Sequence, residues 1–124
     1  PETQFVLDHI SKPYIAKGEM QPWANKLQEL ASYENVVIKV SGLFTEADWK
    51  SWKQEDFSPY LDHVTKSFTP ERMMFGSDWP VCLLAATYRQ SINLMEQYTM
   101  SFSDSEKNNF WAGTANRAYG LKLF

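Results

Sequence analysis

The chain has 124 residues, a formal net charge of −3 and a single cysteine, Cys82. The mild acidity argues against a nucleic-acid-binding protein, because such proteins present a basic face. One cysteine excludes an intrachain disulfide framework and favours a reducing compartment. The longest apolar run, residues 81–86, is far shorter than the about 20 residues that a membrane-spanning helix needs. We therefore expect one domain, residues 1–124, in a cytoplasmic protein that binds neither nucleic acid nor membrane.

Apolar runs alternate with helical patterns along the chain. The runs predict strands at residues 5–7, 36–40 and 73–75, whose starts lie 31 and 37 residues apart. This spacing suits parallel strands joined by helices, since one such unit takes roughly 30 residues. The predicted helices cover about residues 22–33, a short helix that starts at 45–48 and carries Trp49 and Trp52, then 58–68, 83–98, a segment after the capping box of Ser103 and Glu106, and 114–119. The order predicts an α/β fold with a parallel sheet.

Polar residues follow each predicted strand. The first strand is followed by Asp8-His9, the second by Ser41-Gly42, and the third by Gly76-Ser77-Asp78. Because the carboxyl ends of parallel strands form one edge, His9, Ser41 and Asp78 are expected to converge. An imidazole and a carboxylate suit a divalent metal or acid–base chemistry on water. The alternative is structural: Asp78 caps the next helix, and His9 is a hydrogen-bonded loop histidine.

Four segments carry a family resemblance. They read VLDHISKP at 6–13, IKVSGL at 38–43, MFGSDWP at 74–80 and TANRAYGL at 114–121. In this order they resemble the C-terminal half of the amidohydrolase-2 branch of the amidohydrolase superfamily. The likeness is greatest to the hydrolases of sugar lactones and dicarboxylate lactones.

The resemblance implies a partial (β/α)₈ TIM barrel in which this chain supplies strands six to eight. It implies that Asp78 activates the hydrolytic water and that His9 polarises the carbonyl of a small lactone, directly or through a metal. It implies that Trp79 and Lys12 line the pocket or support its loops as substrate-binding residues, and we expect Ser41, from its strand-end position, to bind substrate with them. The implied cofactor is one divalent metal, zinc or manganese, with His9 and Asp78 as ligands, although some lactonases of this branch work without metal.

The sequence also departs from the family pattern. The His-x-His pair of the family's first strand is absent, and the chain has two histidines in all. A start at Pro1-Glu2-Thr3 without Met leads us to expect either a longer parent chain or a processed one. Since half a barrel leaves open strand edges, we expect a homo-oligomer or association with the missing N-terminal half. Two other functions stay open: decarboxylation of an aromatic acid, and a truncated, non-catalytic fragment that acts only in assembly.

Overall fold

Three parallel strands form one sheet in the computed structural model, which describes residues 2–123. They are β1 (Phe5–Leu7), β2 (Val36–Val40) and β3 (Met73–Phe75), in the order β1-β2-β3. Val6 lies opposite Val37 in the β1–β2 pair, and Lys39 lies opposite Met74 in the β2–β3 pair. The predicted α/β class and all three predicted strands are confirmed.

Helices join and cover these strands. α2 occupies the predicted range, and Gly120 ends the last helix in a left-handed conformation with φ 60°. A π-helical turn at Asn109–Gly113 makes α4 and α5 one continuous helical segment. Within residues 2–123 no helix has both the length and the apolar character needed to cross a membrane. The helices are α1 (Trp23–Ala31), α2 (Ser58–Phe68), α3 (Tyr88–Tyr98), α4 (Asp104–Asn108) and α5 (Thr114–Tyr119).

Two helix predictions are wrong in detail. The predicted helix at 83–98 is a 3₁₀ turn at Val81–Leu84 followed, after a break, by α3. The break is due to Thr87, whose hydroxyl accepts the Gln90 amide while the Gln90 side chain accepts the Thr87 amide. This capping box starts a new helix. The short helix predicted to start at residues 45–48 and to carry Trp49 and Trp52 is a single 3₁₀ turn, Phe44–Glu46.

The two faces of the sheet have different environments. Alternate side chains of β2 and β3, such as Ile38 and Met73, pack against the helices in one buried core with Leu27, Phe68 and Phe110. The strand register puts Val6, Val37, Lys39 and Met74 on the opposite face. Helices thus cover one face of the sheet, as they do in the wall of a barrel.

Arg72 connects the start of β3 to the end of α1. Its guanidinium donates to the carbonyl oxygens of Ala31 at 2.8 Å, Tyr33 at 3.0 Å and Val36 at 3.1 Å. It also lies 5.1 Å from the centroid of the Phe68 ring. Because the last carbonyls of a helix have no partner inside the helix, this side chain satisfies the Ala31 carbonyl, and it ties the end of α1 to Tyr33 and to the start of β2.

We expect Arg72→Ala to lower the free energy of unfolding by about 2 kcal/mol or more, because charge-assisted hydrogen bonds are lost at three carbonyls. Urea denaturation measures the change. Arg89→Ala is the matched control: Arg89 is exposed on α3 and forms no side-chain hydrogen bond or ion pair with any of residues 2–123. An equal loss of stability in both variants would contradict this role for Arg72.

Candidate active site

The chain leaves β1 through a left-handed turn. Four consecutive residues have positive φ: His9 at 51°, Ile10 at 42°, Ser11 at 61° and Lys12 at 50°. None of them is glycine, and each pays about 1–2 kcal/mol for the approach of Cβ to the following carbonyl. A β-branched residue such as Ile10 rarely adopts this conformation. Strain of this kind persists only where the surroundings hold it, and it concentrates at functional sites.

Several contacts hold the turn in place. The Ile10 side chain is completely buried, and its carbonyl accepts a 2.7 Å hydrogen bond from the indole of Trp23. Further along the loop, the Tyr60 hydroxyl donates to the Glu19 carbonyl at 2.9 Å. Burial raises the pKa of Tyr60, which keeps its phenol protonated as a donor. The loop is therefore anchored to both α1 and α2.

The turn directs the imidazole of His9 against the end of β2. Nδ1 lies 2.7 Å from the hydroxyl oxygen of Ser41, which is buried. Gly42 has φ 67°, and a Cβ at that position would come within 2.9 Å of Nδ1. Both its backbone conformation and the contact with the imidazole therefore require glycine. Ser41 and Gly42 together fix the ring.

Two carboxylates lie near the other ring nitrogen. His9 Nε2 is 3.4 Å from Asp8 Oδ2 and 3.8 Å from Asp78 Oδ1. The Asp78 side chain is 12% exposed, whereas that of Asp8 is 58% exposed. Asp78 also has a positive φ of 58°, and its carbonyl accepts the amide of Cys82, which is buried. The predicted convergence of His9, Ser41 and Asp78 is what the structure shows.

The other two predicted site residues lie further out. Lys12 forms an ion pair with Glu46 at 3.6 Å, which connects the loop after β1 to the loop after β2. Its side chain is 65% exposed, so the pair contributes little to stability. The Trp79 side chain is 62% exposed beside Asp78, while its amide donates to the Ser77 hydroxyl. The structure brings neither side chain into hydrogen-bond contact with His9 or Asp78.

Three residues close to His9 or to Asp8 were not predicted as site residues from the sequence. Asp8 precedes His9, Gly42 packs on the His9 ring, and Lys39 Nζ lies 4.0 Å from Asp8 Oδ1. Lys39 does carry a signal, because it is a charged residue inside an otherwise apolar strand. The sequence signal for Asp8 is weaker: besides Asp78, it is a second acidic residue at a strand end. For Gly42, the sequence gives no sign of the approaching ring.

The donor atoms fit part of a metal site. With metal–donor bonds of about 2.1 Å, two donors in a tetrahedral site lie about 3.4 Å apart, close to the separation of His9 Nε2 and Asp78 Oδ1. Because Nδ1 faces Ser41, Nε2 is the nitrogen that faces the carboxylates. Within residues 2–123, however, no cluster of three or more metal-binding side chains occurs. The two donors that the resemblance implies, His9 and Asp78, are fewer than the three protein ligands of a catalytic zinc site.

Comparison with known proteins places this geometry in a family. The family model described as "Amidohydrolase" matches residues 1–121. The chain is 43% identical to the L-fucono-1,5-lactonase of Burkholderia multivorans, over 94% of this chain and 43% of the lactonase. It is 30% identical to the 4-sulfomuconolactone hydrolase of Rhizobium radiobacter, over 64% of this chain and 26% of that enzyme.

A crystal structure shares the fold. It is that of an amidohydrolase from Burkholderia multivorans with bound zinc, which superimposes with a TM-score of 0.88 at 42% identity. The match covers 95% of this chain and 44% of the crystallised one, so this chain spans less than half the length of these relatives. The three strands and their helices are thus part of a TIM barrel. The chain belongs to the amidohydrolase family.

Proposed function

We propose that this chain supplies the catalytic carboxylate and imidazole of a hydrolase that opens a small lactone, with sugar-derived lactones as the substrate class. The observation that carries the proposal is the position of Asp78. It is a largely buried carboxylate at the carboxyl end of β3, 3.8 Å from His9 Nε2. The 43% identity to an L-fucono-1,5-lactonase supports the substrate class.

The chemistry assigns one role to each side chain. The Asp78 carboxylate takes a proton from water as the water oxygen attacks the lactone carbonyl carbon. His9 donates a hydrogen bond from Nε2 to the carbonyl oxygen, where negative charge develops. The bond between that carbon and the ring oxygen then breaks, and the ring oxygen takes up the proton. The product is a hydroxy acid, which ionises.

A divalent metal fits this proposal as a cofactor, with zinc the first candidate. His9 Nε2 and Asp78 Oδ1 would hold it together with ligands from outside residues 2–123. When bound, it would polarise the lactone carbonyl in place of the direct hydrogen bond from His9 Nε2, which would then be a ligand and carry no proton. Ser41 then has a defined task, since its hydroxyl accepts a hydrogen bond from Nδ1–H and so leaves Nε2 free of its proton.

The rest of the barrel is the partner that we propose for the open edge of the sheet. Within residues 2–123 no strand pairs with the outer edge of β1. A groove of about 510 Å³ lies along that edge, lined by apolar side chains that include Phe5, Leu30 and Tyr33. Its occupant is the part of the barrel that the relatives have and this chain does not cover, whose neighbouring strand would extend the sheet in parallel.

The function is tested with the assembled barrel. The chain is mixed with the part of the Burkholderia multivorans lactonase that it does not match, and acid release from L-fucono-1,5-lactone is followed. We expect Asp78→Asn to lower kcat/KM at least 100-fold, because the amide keeps the shape but cannot accept the proton. Asp104→Asn, in the first turn of α4, is the control and should retain full activity. Full activity of the Asp78 variant would reject the assignment, whereas an inactive but correctly assembled barrel would favour a role in assembly alone.

Metal binding is tested through the tautomer of His9. Without metal we expect the proton on Nε2, facing Asp8 and Asp78, with Ser41 donating to Nδ1. Zinc should move the proton to Nδ1, and the ¹⁵N shifts of the ring report the change directly. His63 is an internal reference, because its Nε2 lies 2.7 Å from the Ala24 carbonyl and must carry the proton there. Unchanged His9 shifts in the assembled barrel at saturating zinc would rule out this ligand.

The proposed partner at the outer edge of β1 is tested by introducing a charged side chain there. Leu30→Glu should weaken binding of the complementary barrel part by about tenfold or more, since the carboxylate would lose its hydration against an apolar partner. Leu30 is already 37% exposed, so the Tm of the chain alone should change little. Met100→Glu, at a residue 73% exposed beyond α3, is the control for added charge. If the variant binds as tightly as the parent, the partner does not occupy this edge, and self-association is the alternative to examine by light scattering.

A further inference from the structure

Lys39 is a charged residue inside the central strand of the sheet. Its neighbours in β2 are buried apolar residues, and its own side chain is one-third exposed. A strand at the centre of a parallel sheet ordinarily reads as a continuous apolar run. Lysine at such a position gives up hydration and rotamer freedom without adding to the core. Local rules of this kind are broken mainly at functional sites.

The side chain of Lys39 extends on the face that carries the site. Ser41 directly follows β2, two residues after Lys39, and a Cβ at Gly76 would meet both side chains, so the two project from the same face. Lys39 Nζ lies 4.0 Å from Asp8 Oδ1, and the other oxygen of Asp8 lies 3.4 Å from His9 Nε2. Asp8 Oδ1 also accepts the His9 amide at 3.0 Å. Lys39 is therefore connected to the imidazole indirectly, by way of the Asp8 carboxylate.

Gly76 provides the space for this arrangement. A Cβ at Gly76 would come within 2.9 Å of Lys39 Cε and within 2.9 Å of Ser41 Cβ. Gly76 does not have a positive φ, in contrast to Gly42, so its backbone conformation would accept other residues. The requirement for glycine comes from the close passage of the lysine stem and the serine.

The two carboxylates near His9 indicate the role of Lys39. Asp8 and Asp78 each have a carboxylate oxygen within 4 Å of His9 Nε2, and two carboxylates that share one neighbour repel each other. A cation beside Asp8 reduces that repulsion and holds the more exposed carboxylate on its own side of the ring. Asp78 is then the carboxylate left to accept a proton from water.

We propose that Lys39 is a positioning residue of the site: it holds Asp8 beside His9, and Gly76 makes room for it. The expected effect of Lys39 on the reaction rate rests on the proposed lactone hydrolysis. The arrangement of Lys39, Asp8 and His9 does not depend on that function, so the two are tested separately.

The geometry is tested with a carbodiimide, which joins a lysine and a carboxylate in contact through an amide with loss of one water. Mass spectrometry of the digested chain should find the Lys39–Asp8 link and the Lys12–Glu46 link, the second being an internal control at 3.6 Å. Gly76→Ala should reduce the first link several-fold and leave the second unchanged. A parent chain that forms only the Lys12–Glu46 link would overturn the proposal, and this measurement needs no variant to fold.

The consequence is tested in the assembled barrel. Lys39→Met should lower kcat by about ten- to a hundredfold with KM changed less than about twofold, because a displaced catalytic group costs rate more than binding. Gly76→Ala should act in the same direction, and the double variant should be no worse than the more impaired single one. Lys26→Met, on the exposed side of α1, is the control. A raised KM with unchanged kcat would mean that Lys39 contacts the substrate, and it would overturn the proposal that Lys39 positions Asp8. An inactive parent barrel would instead reject the lactonase proposal, while the cross-link still decides the geometry.

Discussion

The left-handed turn at residues 9–12 is the constraint on which the site depends. In a right-handed conformation the chain would carry the His9 ring away from the end of β2, and its contact with Ser41 would be lost. The strain of four positive φ values is offset by the complete burial of Ile10 and by the Trp23 indole on its carbonyl. The energy that holds the imidazole therefore comes from the packing of α1 and not from the site itself.

Two glycines show how closely the site is packed. Gly42 has to be glycine both for its conformation and for the approach of the His9 ring, whereas Gly76 is needed for space alone. Both follow strand ends, where side chains from neighbouring strands meet. Substitution at Gly42 would displace the His9 ring, and substitution at Gly76 would displace the Lys39 side chain. The site thus depends on close packing at two strand ends as well as on the core that holds the turn.

The sequence predicts the elements well where periodicity and caps coincide. β2 is a β-branched run and α2 begins at Ser58-Pro59, and both lie at the predicted residues. The error at residues 83–98 has a local cause, since apolar periodicity continues through the break that Thr87 introduces. The convergence of His9, Ser41 and Asp78 could be predicted because parallel strands end at one edge. The left-handed turn could not, because no glycine marks it.

The position of Lys39 was missed for a related reason. Strand alternation places it on the site face, but its distance from Asp8 depends on the turn that orients Asp8 and His9. A residue-by-residue reading treats a lysine in a strand as a solvated side chain. Its role emerges only when the register of three strands and the conformation of one loop are combined.

The two faces of the sheet explain what this chain could contribute to an enzyme. The helix-covered face is buried, while the opposite face carries Lys39 among Val6, Val37 and Met74, and the sheet ends at an open apolar edge beside Phe5. Under the proposed function, the chain holds the groups that move protons, but residues from the remaining barrel wall must enclose the substrate. Rate and substrate choice would then reside in different parts of the barrel. Changes at Asp78, His9 or Lys39 should alter the rate for every lactone alike, and selectivity among lactones should follow the wall that completes the pocket.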